Sequence, residues 1–270
     1  MNIAVAALII AVACAITCGL LFAAHRFGTR DALLADTTRG AGVYGVVGTS
    51  FAVLLAFVVL IAFESYNDAR EGAEQEADAV QELYRSAGFF PASRVEIQGD
   101  LLCYGRAVIS HDWPAMRDQE RSPVVDHWSL GLQRAYEEMV VATPKEAAAF
   151  SNLLDLRDDR VDARRQRLTQ STPIITSPVW FILGIGALLN IAFVLLFLDR
   201  RGESVLTQCI LMAAVTAVVV AGLLLVWFLD HPYEDANGSV KPVEMEHTIR
   251  SLQNEHPELK PLCDGDGAPL

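Results

Sequence analysis

The run GVYGVVGTSFAVLLAFVVLIAF, Gly42–Phe63, passes without a break into ESYNDAREGAEQEADAVQELYR, Glu64–Arg85. The first half is uncharged and long enough to cross the hydrocarbon layer, which takes about 20 apolar residues. The second half reverses polarity but keeps a helical rhythm. Ala69, Ala73, Ala77, Val80, Tyr84 and Ala87 recur at helical spacing as a narrow apolar stripe. Glu64, Asp68, Glu71, Glu74, Glu76, Asp78 and Glu82 surround it and are expected to be solvated. The stretch therefore predicts one long helix, or two nearly continuous ones, leading from lipid into a water-exposed domain. Gly88 and Pro91 end it.

Three more uncharged runs lie outward from it: Ile3–Phe22, Val179–Leu198 and Leu206–Leu229. A single charge at a helix centre adds roughly 2.5–3.5 kcal/mol to insertion. None of the four runs carries one, so all four are predicted spans. The first lacks a basic leader, and its charges, His25, Arg26 and Arg30, follow the apolar run. It reads as a retained anchor rather than a signal peptide. The fold class is all-α: an integral membrane protein with four transmembrane helices and a helical soluble domain inserted between spans two and three. The expected division is residues 1–63 for spans one and two, 64–177 for the soluble domain, 178–229 for spans three and four, and 230–270 for a polar tail. The end of that tail, rich in Pro, Gly and Asp, is expected to be disordered.

Helix starts organise the soluble domain. Ser93-Arg94-Val95-Glu96 has the form of a capping box and opens a helix ending near Trp113-Pro114. Ser122-Pro123 sets a cap before proline at the first helical position. Thr143-Pro144-Lys145-Glu146 combines both signals and opens a long helix through Leu168. That last helix is dense in charge, with Arg157, Arg160, Arg164, Arg165 and Arg167 after several aspartates. It reads as a salt-bridged exposed helix, with attraction to anionic lipid head groups as a further expectation.

The chemistry-bearing signals are few. A net charge of −12 disfavours a nucleic-acid partner. No HExxH, P-loop, GxSxG or dinucleotide glycine fingerprint is present, so no catalytic residues and no cofactor are predicted. The six histidines lack metal-ligand spacing, and no metal site is expected. His111-Asp112 are neighbours on a helix and point different ways. Asp230, Glu234 and Asp235 read as a solvated turn, with a cation site as the sharper alternative. Cys14, Cys18 and Cys209 fall in apolar runs. Cys103 and Cys263 fall in polar regions on one side of the membrane, where they pair only in an oxidising compartment. Within the second span, Gly45, Thr49, Ala52, Ala56 and Leu60 share one face. Small residues there serve close helix packing or line a narrow pore.

Several segments together resemble the bacterial bestrophin-like domain family of membrane proteins. They are Phe63-Glu64-Ser65-Tyr66-Asn67-Asp68-Ala69-Arg70, Glu76-Ala77, Leu83-Tyr84-Arg85, Tyr104 and Asp112-Trp113-Pro114-Ala115-Met116. Leu229-Asp230-His231-Pro232-Tyr233, with Gly238 and Val240, is similar to the family's second signature. Tyr66, Arg70, Tyr84, Trp113, Pro114, Asp230, Pro232 and Tyr233 are the signature residues. More distantly the chain is similar to bestrophins, which are pentameric anion channels lined by their second span. That resemblance implies a homo-oligomer in the inner (plasma) membrane passing small anions, with Thr49, Ala52, Ala56 and Leu60 lining the pore. The chain departs from bestrophins at Asp68, where Arg is expected, and at Tyr233-Glu234, where Phe-Gly is expected. It also has Ala52, Ala56 and Leu60 where animal bestrophins carry an aromatic neck. The alternative is a non-conducting scaffold or sensor whose acidic helical domain binds a partner.

Orientation draws on two opposed signals. Arg26, Arg30, Arg39, Arg200 and Arg201 on the short loops favour placing those loops in the cytoplasm and the domain outside. Arg70, Arg160, Arg164, Arg165, Arg167 and Lys241 near the membrane on the domain side weigh against this. The resemblance to bestrophins implies a cytoplasmic domain. A Cys103–Cys263 disulfide would overturn it.

Overall fold

The computed structural model describes residues 2–27, 37–197 and 204–270. The expected tight turn at 199–203, and Arg30, Arg200 and Arg201, lie outside the described residues. Among the described residues the structure is helical, apart from an isolated bridge between Cys263 and Pro269. The chain divides into two compact units. The first comprises Met1–Ser65, Pro173–His231 and Asp235–Asn237; the second Tyr66–Thr172, Pro232–Glu234 and Gly238–Leu270. Helix α2, Thr37–Ser86, supplies residues to both and is one uninterrupted helix of 50 residues.

In the first unit α2 is joined by α1 (Ile3–Phe27), α7 (Ser177–Leu196) and α8 (Val205–Leu229). These are the four helices long and apolar enough to cross a membrane. Three of their polar side chains bond within the unit. Thr216 donates to Thr17, Thr17 to the Ala13 carbonyl, and Asn190 to Gly186. The packed face of α2 is Phe51, Leu55, Val58 and Ala62. Glycines on the neighbours receive it: a Cβ at Gly186 would stand 2.4 Å from the Phe51 ring, and one at Gly222 2.7 Å from Leu55. Small residues therefore do bring these helices together, on α7 and α8 and also at Gly48 of α2, where a Cβ would lie 3.3 Å from Asn190 Oδ1. Only 11–22% of each span's most apolar window is buried within the chain. Most of that surface is left for lipid or for other copies.

The second unit holds the remaining helices: α3 (Arg94–Ala107), α4 (Trp113–Arg117), α5 (Pro123–Glu137), α6 (Pro144–Thr169) and α9 (Val243–Glu255). Ser122 and Thr143 cap α5 and α6 as their sequences predict, Thr143 within a complete capping box. Ser93 does not: it sits in a helical conformation with no side-chain cap bond, because the chain enters α3 from a preceding turn. The helix expected to run to Trp113-Pro114 is interrupted by a wider turn at Val108–Asp112. The stripe of α2 packs into a core with Leu83, Ile97, Leu101, Leu102, Tyr104, Trp128 and Leu132. At Gly72 a Cβ would lie 3.0 Å from the Arg167 backbone nitrogen, so α2 and α6 cross nearly backbone to backbone.

The tail departs from expectation. Its end is packed rather than disordered. Met245, Ile249 and Leu252 of α9 are buried in the core, and Trp128 Nε1 donates to the Gly267 carbonyl at 2.7 Å. Cys263 is disulfide-bonded to Cys103, 160 residues away in sequence. Gly267 adopts φ +86°, where its missing Cβ avoids the Ala107 backbone.

Candidate functional site

Two groups of residues matter, one in each unit. In the first, Thr49, Ala52, Ala56 and Leu60 of α2 are all exposed within the single chain. They do not serve helix packing inside it. Thr49 and Ala52 border an apolar groove of about 600 Å³ with Gly48, Val215 and Val218. No Asp, Glu, Lys, Arg or His stands between Val43 and Phe63.

In the second unit the residues that carry the resemblance sort by task. Tyr66 Oη donates to the Gly238 carbonyl, Trp113 Nε1 to Val240 at 3.2 Å and Tyr233 Oη to Ala69 at 3.1 Å. Pro232 accepts from the Val240 amide at 2.8 Å. Trp113 and Tyr233 meet edge to face, 5.7 Å apart. These residues tie the segment after α8 onto α2 and α4. Pro114 occupies the first turn of α4, where its missing N–H costs nothing. Arg70 and Tyr84 are not part of this group. Arg70 makes an exposed ion pair with Glu74 at 2.7 Å, and Tyr84 is buried beside His256. Asp230, in the first unit, is buried and accepts from the Ile174 and Ile175 amides at 2.9 and 3.0 Å. It is therefore a loop anchor rather than part of a solvated turn. Among the described residues no group of three or more His, Cys, Asp or Glu could hold a metal.

Sequence reasoning missed a buried ion network. Glu76, expected on the solvated face, is fully buried and accepts from Arg167 Nε at 2.5 Å and Nη2 at 3.2 Å. Tyr104 Oη also donates to it. Arg167 reaches Asp112 at 2.8 Å, and Arg164 reaches Asp112 at 3.4 Å and Asp126 at 2.8 Å. The Arg167 guanidinium lies over Trp113, 4.9 Å from its centroid. Burial alone would raise the Asp112 carboxyl. Arg167 and Arg164 outweigh it and hold the group below the ordinary range, helped by the Ser122 amide at 3.0 Å. Burial pushes the Tyr104 phenol up, and Glu76 adds to it. Asp112 is thus committed to arginines, and the exposed-helix reading of α6 fails at Arg160, Arg164 and Arg167. Their burial also removes them as lipid head-group contacts.

The signal for this network was in the spacing. Glu76 stands three after Ala73 and four before Val80, on the apolar stripe itself. Arg157, Arg160, Arg164 and Arg167 recur at three, four and three.

The profile of the Bestrophin-like domain family matches residues 11–243. No curated protein matches the chain. A bacterial bestrophin homologue from Klebsiella pneumoniae superposes with a TM-score of 0.67 at 12% identity, over 94% of this chain and 98% of that one. Two point variants of that homologue give 0.68 at 12% identity (93% and 99% covered) and 0.70 at 11% (94% and 99%). At these identities the likeness is one of fold. The family match spans most of the sequence, and the chain belongs to the Bestrophin-like domain family.

Proposed function

We propose that the protein forms a closed homo-oligomeric ring in the inner membrane that conducts small anions, with the membrane half of α2 lining the pore. The observation that carries this reading is the uncovered face of α2. Thr49, Ala52, Ala56 and Leu60 are exposed on the helix whose other side is packed against glycines of α7 and α8. An uncharged narrow lining selects by constriction and by backbone dipoles rather than by fixed charge. The test is chloride efflux from liposomes carrying the purified protein. Efflux that Ala56→Trp abolishes, while the particle size in detergent is retained, is the expected result. A wild-type protein that supports no flux contradicts the proposal, and a permeability that follows cations contradicts its anion part.

We infer further that the soluble unit faces the oxidising side of the membrane. The Cys103–Cys263 bond favours that side, as do the arginines of the short loops. Both oppose the cytoplasmic placement implied by the resemblance to bestrophins.

The second reading, a scaffold or sensor, draws on an acidic strip. Asp78 and Glu82 of α2 and Asp159 and Asp162 of α6 line one cavity of about 400 Å³, a surface suited to a basic partner. A monomer without flux favours it.

A further inference from the structure

Of the arginines on α6, Arg167 and Arg164 are matched by Glu76, Asp112 and Asp126. Arg160 is not. Among the described residues it makes no ion pair, although only 2% of its surface is exposed. Its Nη1 donates to Ser129 Oγ at 3.2 Å, its guanidinium stacks on Tyr104 with 4.6 Å to the centroid, and its Nε has no acceptor. A desolvated cation without a counter-charge is expensive. Close by, the buried Tyr136 hydroxyl also has no hydrogen-bond partner. Both side chains line one cavity of about 370 Å³, whose wall also includes Ser129, Gln133, Leu130 and Val161.

We propose that this cavity binds a small monocarboxylate, the carboxylate held by Arg160 and Tyr136 and a short aliphatic tail lying against Leu130 and Val161. A planar guanidinium matches a carboxylate. Asp126 stands on the same wall, held by Arg164 at 2.8 Å, and disfavours a doubly charged phosphate. Tyr136 remains a donor at all physiological pH, because burial pushes its pKa up to about 12. Arg157 lines the open side, paired with Asp158. The site lies within the soluble unit and does not depend on whether the protein conducts.

The test uses the full-length protein in detergent with sodium butyrate, sodium phosphate or sodium chloride at matched ionic strength. Butyrate is expected to raise the thermal midpoint saturably, as any ligand of the folded state does, while phosphate and chloride do not. Tyr136→Phe removes a hydroxyl the fold does not use. It should leave the midpoint without butyrate unchanged and weaken butyrate binding about tenfold in calorimetry. Arg160→Gln should abolish binding. Because Arg160 also packs on Tyr104, Arg157→Gln at the open side provides a second variant, with weakened binding and an unchanged fold. A butyrate response equal to that of chloride, or one unaltered by Tyr136→Phe, overturns the site. A phosphate response exceeding that of butyrate overturns the carboxylate assignment.

Discussion

At the scale of single residues, Glu76 carries the most weight. Its carboxylate is enclosed with Arg167 and Tyr104 and has no route to water. Truncating one partner of such a pair leaves the other buried and uncompensated, which costs about 3–5 kcal/mol. Glu76→Gln is therefore expected to lower the thermal midpoint of the purified protein by many degrees, whereas Glu71→Gln on the exposed face leaves it unchanged. Acid acts on the same network. The folded-state pKa of Asp112 lies below its unfolded value, so its contribution is complete above the ordinary carboxylate range and is lost as pH falls through the depressed folded value. Midpoints measured between pH 7 and pH 3 should fall more steeply at the acid end for the wild type than for Asp112→Asn. Polarity alone hid this network from a reading of the sequence, since a glutamate among six other acidic residues looks like one more solvated charge. Only its register on the Ala73–Val80 stripe marks it as internal, and its partners Tyr104 and Arg167 lie 28 and 91 residues away, beyond any local pattern.

At the scale of elements, α2 was legible because two strong local signals agree. An uncharged run of membrane length precedes an amphipathic stripe, with Gly88 and Pro91 as a stop. The caps of α5 and α6 were legible for the same reason, their chemistry being contained within four residues. The partner of each helix face was not, because it depends on contacts distant in sequence. Gly72 illustrates this: its lack of a side chain matters only because the α6 backbone crosses there, with Arg167 N at 3.0 Å and Ala163 O at 3.2 Å from a built Cβ. Backbone cannot swing aside, so Gly72→Ala is expected to destabilise by about 1–3 kcal/mol. At Gly186 the obstacle is the Phe51 ring, a side chain. Gly186→Ala should be rescued by Phe51→Leu, and no single side-chain change should rescue Gly72→Ala. Thermal midpoints of the three variants and the double variant check this.

At the scale of the whole molecule, charge and redox chemistry bear on which side of the membrane the soluble unit faces. Besides the burial of α9, the tail is tied down by a bond between Cys103 and Cys263 that closes a loop of 160 residues, worth about 5 kcal/mol in chain entropy. Composition alone made the tail look disordered, since Pro, Gly and Asp there are read without sight of the cysteine partner. Cells alkylated at harvest and run on non-reducing gels should show the wild type as a fast-migrating form that reductant converts to the mobility of Cys263→Ser; alkylatable Cys103 and Cys263 in untreated cells would return the domain to the cytoplasm. The central claim, that ions pass along α2, is tested most directly by current through reconstituted Ala56→Cys protein in which Cys14, Cys18 and Cys209 are replaced. The account predicts a current reversing near the chloride equilibrium potential and falling when a negatively charged methanethiosulfonate reagent reaches position 56. A current that the reagent leaves unchanged, or no current at all, would contradict it.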